Sequence, residues 1–178
     1  METTKASSKK VILNYGLLLG ILSVILGVVL YVTNAYLNPS FIYTIIGFLI
    51  LIVVISLGIK AYKTENGGYL SLGEAIKVGI GIALIGGIIT AIWTVLLMNF
   101  IEPDYMAQMM YLQREKMLAS NPNMSDAQID QIMEMSAKFA SPWISTAVQL
   151  VGSLFFGLII ALVAGLIMKN QNPYERQA

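Results

Sequence analysis

The chain contains no cysteine and no histidine. Without cysteine there is no disulfide, no thiolate metal ligand and no thiol nucleophile. Without histidine the commonest general base near neutral pH, and the commonest transition-metal ligand, are both missing. Charge is also scarce. Charged residues make up 12 % of the 178 positions, against roughly 25 % in an ordinary soluble domain. A formal net charge of +1 provides no basic face, so no nucleic-acid partner is expected. The sequence carries no histidine-bearing zinc motif and no Gly-x-Ser-x-Gly elbow. Its serines have no plausible base beside them. These absences argue against an enzyme and imply no cofactor.

What is present is apolar. Hydrophobic residues reach 57 %, and they fall into four long uncharged runs, at about 11–33, 41–61, 75–100 and 143–168. The first, at a rise of 1.5 Å per residue, is about 34 Å long, enough for the hydrocarbon core of a bilayer. It follows Lys5, Lys9 and Lys10. A secretory signal peptide is the competing reading, but its apolar region spans only about 7–15 residues, so an uncleaved first helix is expected. Asn38-Pro39-Ser40 turns the chain into the second run, with Ser40 as candidate N-cap. The short connection predicts that the first two helices form a tight antiparallel pair. Ser71 and Glu74 have capping-box spacing before the third run, and Ser141-Pro142 opens the fourth. The expected fold is all-α, with four transmembrane helices in one membrane domain over residues 1–178.

Orientation follows from lysine and arginine placement. Lys5, Lys9, Lys10, Lys60, Lys63, Lys77, Lys169 and Arg176 fall on one side; Arg114, Lys116 and Lys138 fall on the other. The eight-residue side is expected in the cytoplasm, with both termini there. The long segment at about 101–142 is then exported. It holds six acidic residues, Glu102, Asp104, Glu115, Asp126, Asp130 and Glu134. Pro103 can open a helix running to about residue 119, Asn121-Pro122-Asn123 breaks it, and Ser125 with Gln128 caps a second helix running to about residue 140. Tyr105, Met106, Met109, Met110, Leu112 and Met117 share an arc on the first. Ile129, Ile132, Met133, Phe139 and Ala140 share one on the second. An exported amphipathic helical hairpin between helices 3 and 4 is therefore expected. Tyr105, Met106, Met109, Met110, Ile129, Ile132, Met133 and Phe139 form its candidate contact surface.

Seven of the ten methionines lie in this hairpin. Thioether sulfur suits Cu(I), but methionine also fills irregular apolar interfaces. Most of the seven fall on or beside the apolar arcs, so packing or partner contact is the reading taken, and no metal site is assigned. Inside the spans, no ionisable residue occupies a mid-membrane position. Asn14 and Gln149 are the main polar side chains there and are expected to bond between helices. Small residues repeat every four positions: Gly16 and Gly20 on helix 1, and Ser153, Gly157, Ala161 and Gly165 on helix 4. Such stripes let helix backbones approach closely. They serve either packing within the chain or a homodimer.

The run Tyr69-Leu70-Ser71-Leu72-Gly73-Glu74-Ala75-Ile76-Lys77-Val78-Gly79 leads into helix 3, Phe100-Ile101-Glu102-Pro103-Asp104-Tyr105 ends it, and Phe139-Ala140-Ser141-Pro142 precedes helix 4. Together these stretches resemble an uncharacterised bacterial membrane family catalogued as domain of unknown function 4199. The resemblance covers nearly the whole chain and implies four helices in a bacterial cytoplasmic (inner) membrane. It transfers no activity and no site residues.

The functional expectation is a small scaffold or interaction protein that uses the exported hairpin as its contact surface. It would sit in the lipid bilayer as a homo-oligomer or with another membrane or periplasmic protein. A small transporter or channel subunit acting as an oligomer is the alternative. The topology has a direct check. Reporters fused after Lys63 and after Lys169 should read cytoplasm, and one fused near Asn121 should read export. A cytoplasmic signal at Asn121 overturns the orientation.

Overall fold

The structure is a computed structural model, and it describes residues 7–121 and 123–171. Lys5, Pro122 and Arg176, used above, lie outside the described residues. The order is α1 (Ser8–Val32), α2 (Phe41–Glu65), α3 (Leu72–Leu96) continued by a π-helical turn (Leu97–Ile101), α4 (Tyr105–Ser120), α5 (Asp126–Phe139) and α6 (Pro142–Met168). Among the described residues no β-strand occurs. Four helices are long and apolar enough to cross a membrane: Ser8–Val32, Phe41–Glu65, Leu72–Ile101 and Pro142–Met168. By length and composition the chain is a multi-pass membrane protein.

The helix ends follow local chemistry. Ser71 caps α3, its hydroxyl accepting the Glu74 amide N–H while the Glu74 carboxylate accepts the Ser71 amide at 2.9 Å. The same reciprocal box joins Ser125 and Gln128 ahead of α5. The second span continues past the expected residue 61 because its last turn is polar but still helical. It stops where Gly67 and Gly68 adopt φ of 67° and 86°, a region costly for side-chain-bearing residues. There the Gly68 amide donates to the Lys63 carbonyl at 2.9 Å, a Schellman-type ending.

The centre of the bundle is α3. It packs most extensively against α6 and α1, with α2 laid against all three. Helix α1 is therefore held chiefly by α3, not by α2 as the short connection suggested, because its glycines face α3. A Cβ added to Gly16 would lie 2.6 Å from the Ile85 Cβ, and one added to Gly20 would lie 2.6 Å from the Ile89 Cβ. Gly81 receives Ile12 in the same way. The register advances by four on both helices, so α1 and α3 run parallel. Against α6 the small residues meet each other: Ala75 with Gly165, Gly79 with Ala161, Ala83 with Gly157 and Gly87 with Ser153. Here α3 advances as α6 retreats, so these two run antiparallel.

These registers bring the start of α1, the α2–α3 connection and the end of α6 to one end of the bundle. Lys9, Lys10, Lys60, Lys63, Lys77 and Lys169 all belong to it. Backbone bonds tie it together: the Leu70 amide donates to the Asn170 carbonyl at 2.8 Å, and the Asn170 amide returns the bond at 2.9 Å. Leu70 itself is completely buried. The α1–α2 connection, α4 and α5 occupy the opposite end.

Packing is uneven along the membrane axis. The buried core comprises Val11, Leu19, Val54, Ile55, Ile59, Tyr62, Leu70, Ala75, Val78, Ile82, Ala83, Ala161 and Ala164, and all belong to the lysine half. Toward the hairpin end, α1 has no buried residue after Gly20, α2 none before Val54 and α6 none before Gly157. The helices are close where small residues face each other and looser where they do not.

The stripe predicts a contrast. Gly157→Leu and Ala161→Leu should each lower stability in detergent by roughly 1–3 kcal/mol, since added bulk has no space on that line. Gly152→Leu should be near neutral, because nothing lies within 4 Å of an added Cβ there. Unchanged unfolding midpoints for the first two variants would mean that the stripe is not the packing surface.

Candidate functional site

The hairpin end gathers polar and aromatic side chains from three places. The third span leaves its helix through the π-helical turn, where the Glu102 amide donates to the Leu97 carbonyl at 2.7 Å. This wider turn buries Leu97 and Met98 and carries the chain to Pro103 and into α4. Glu102 then accepts a bond from Gln108 Nε2 at 2.7 Å, and Gln108 Oε1 accepts one from the Tyr36 hydroxyl at 3.3 Å. The rings of Tyr36 and Tyr105 stack with centroids 5.8 Å apart, and Tyr31 flanks Tyr36 at 5.5 Å. One turn pair further along, Lys116 Nζ donates to Asn38 Oδ1 at 2.7 Å. Helix α4 is thus fastened at two levels to the α1–α2 connection.

Burial raises the pKa of Tyr36 above the ordinary tyrosine value, and Glu102 and Tyr31 push the same way. Burial, then Tyr36, raises Tyr105. A raised phenol pKa means that folding favours the neutral form. Its contribution is intact below the ordinary tyrosine pKa and is lost as pH climbs through the raised value.

Helix α5 returns beside α4. Ile129 and Met133, one turn apart, are buried; neither belongs to the bundle core, and α4 is the helix that α5 meets most. Arg114 Nη2 and Asp130 Oδ1 pair at 3.1 Å on the exposed side. Such a pair is worth at most about 1 kcal/mol, so the register rests on the apolar contact.

Of the contact surface expected from sequence, then, Ile129 and Met133 are used inside the hairpin and Tyr105 is stacked on Tyr36. Met106 and Met110 are half-buried, while Met109, Ile132 and Phe139 are exposed. Tyr111, Leu118 and Met135 are exposed beside them. The small residues Gly16, Gly20, Ser153, Gly157, Ala161 and Gly165 all face α3. An interface with a second copy would have to use other surfaces. Gln149 accepts a bond from the Thr94 hydroxyl at 3.0 Å, joining α3 to α6. Asn14, expected to do the same, is exposed, because it lies across the helix from Gly16, Leu19 and Gly20.

Sequence reasoning missed Tyr36, Asn38 and Gln108. Tyrosines next to span ends were the available signal, but nothing local pairs residue 36 with residue 105. Among the described residues no polar or charged side chain is buried, and no three acidic side chains converge.

The docking predicts a graded response. Tyr36→Ala removes a ring stack of about 0.5–1.5 kcal/mol together with the bond to Gln108, whereas Tyr36→Phe removes only the bond. Amide hydrogen exchange in α4 should accelerate most in Tyr36→Ala and least in the native chain, with α3 and α6 unchanged. Equal exchange in all three proteins would show that Tyr36 does not hold α4.

Neither the curated proteins nor the solved structures gave a match to this chain. Among protein families, the one described as "Protein of unknown function (DUF4199)" matches residues 14–170, which takes in most of the first span, the other three spans and the hairpin between the last two. The chain belongs to this family.

Proposed function

We propose that the protein is a small scaffold of a bacterial cytoplasmic membrane, with both termini in the cytoplasm and the α4–α5 hairpin on the outer side. On this reading the hairpin is its contact surface, for a second copy or for another membrane or periplasmic protein. One observation carries the reading. The hairpin is a built platform, with its own buried pair and two levels of attachment to the bundle, yet it leaves Met109, Tyr111, Leu118, Ile132, Met135 and Phe139 exposed. A connector needs neither a buried pair nor exposed apolar side chains, since residues 33–40 join α1 to α2 with neither. Methionine-rich faces adapt to varied partner surfaces, and the surrounding acidic residues favour a neutral or basic partner. The reading involves no catalytic step and no cofactor.

The looser hairpin half of the bundle favours a second reading, a transporter or channel subunit that completes a path by oligomerising. Solute flux through purified protein in liposomes separates it from the first.

The scaffold reading is tested by replacing residues 102–141 with a short Gly/Ser linker. The four spans should still insert, and in-membrane cross-linking should lose the species formed by the intact protein. Identical cross-linked species from the two proteins would reduce the hairpin to a connector and remove this function.

A further inference from the structure

Helix α5 has more apolar surface than α4 covers. Ile129 and Met133 occupy the side turned to α4. Ile132, Met135 and Phe139 form a second line, spaced three and four residues apart, and are 37 %, 60 % and 65 % exposed. Asp130, Gln131, Glu134 and Lys138 take the remaining side. The helix therefore has a sector for α4, a sector for water, and an apolar sector with no occupant in the chain.

The chain's own geometry limits what can cover that sector. Phe139 is three residue steps from Pro142, at most about 11 Å of chain. The Ser141 amide bonds to the Phe139 carbonyl at 2.9 Å, which keeps the link tight. Pro142 opens the fourth membrane-crossing helix. Ile144, 40 % exposed, begins its outward line and is continued by Val148, Val151 and Phe155 at spacings of four, three and four. Trp143, 69 % exposed at the head of the same helix, sits where headgroups meet acyl chains. Nor can the hairpin stand off the bundle, because α4 is fastened to the α1–α2 connection at both Gln108 and Lys116. The exposed line on α5 thus continues, across two residues, the apolar surface that α6 presents to lipid.

We infer that α5 lies in the membrane interface and seats Ile132, Met135 and Phe139 among the lipids of the leaflet at the hairpin end. The occupant is a lipid surface of no particular headgroup chemistry, held by burial of an amphipathic helix face. This goes beyond the scaffold reading and does not require it: α5 is seated whether or not a partner binds. If both hold, the surface left for a partner is on α4, at Tyr111 and Leu118 on one face and Met109 on another.

Because the chain has no cysteine, single thiols can be introduced cleanly. Met135→Cys and Phe139→Cys sample the apolar line, Gln131→Cys and Lys138→Cys the polar side, and Phe155→Cys the lipid-facing surface of α6. Each is labelled with an environment-sensitive fluorophore and reconstituted, dilute, in phosphatidylcholine liposomes. The Phe155 label must be quenched by lipids bearing a nitroxide, which verifies insertion and folding. Labels at 135 and 139 should be quenched several-fold more by lipids carrying a shallow nitroxide than labels at 131 and 138. Aqueous iodide should give the reverse order. Equal iodide access at all four positions overturns the inference. So does protection at 135 and 139 without lipid quenching, together with disulfide-linked dimers from the unlabelled variants, since a second copy would then cover the face. The first result leaves partner capture by the hairpin untouched, and the second would support the scaffold reading while overturning this one, so failure here is distinct from failure of the scaffold reading.

Discussion

The closeness of α3 to its two neighbours is the constraint from which the rest of the architecture follows. In a bilayer there is no hydrophobic gain in bringing two apolar helices together, because lipid tails are as apolar as leucine. Association rests on dispersion contact, and that is largest where backbones approach. On one side of α3, Ala75, Gly79, Ala83 and Gly87 meet Gly165, Ala161, Gly157 and Ser153. On the other, Ile85 and Ile89 fill the space left by Gly16 and Gly20. One relation is small against small, the other large into small, and between them they set the direction and register of three helices.

The remaining features depend on this arrangement. The main buried core lies in the lysine half, where Ile55, Ile59 and Ile82 become fully buried. Beyond it α1, α2 and α6 contribute no buried residue, and polar and aromatic contacts join the elements at that end. Tyr36, Tyr105, Gln108 and Glu102 link the α1–α2 connection to α4. Helix α4 in turn gives α5 a surface for Ile129 and Met133. The protein thus has two organising centres: a dry close-packed one at the lysine end, and a polar and aromatic one carrying the hairpin.

Such a division bears on function. The tightly packed half has little freedom, whereas the hairpin end combines looser spans with exposed apolar groups. Contacts with lipid, a second copy or another protein would be made there at the least cost to the fold. The small-residue stripes, which a sequence reading can assign equally to a dimer, are already occupied within one chain.

What the sequence determined by itself is what local rules govern. The four spans follow from hydropathy and length, both capping boxes from a three-residue spacing, and the division of α4 from α5 from the break at Asn121-Pro122-Asn123; of the two expected amphipathic arcs only that on α5 is bipartite, since α4 buries no residue. Lys9, Lys10, Lys60, Lys63, Lys77 and Lys169 could be assigned to one side from their places between the spans. Rotation of each helix about its axis, and the choice of partner, were decided only in the tertiary structure. Asn14 and Gln149 read alike in sequence, yet one faces outward and the other bonds to Thr94. Gly157 and Ala161 announce a close contact without naming its partner. Ile129 and Ile132 share an apolar arc, but one is fully buried and the other partly exposed. The physical reason is common to all three: an apolar or small face has the same local signature whatever covers it, and what covers it depends on residues dozens of positions away.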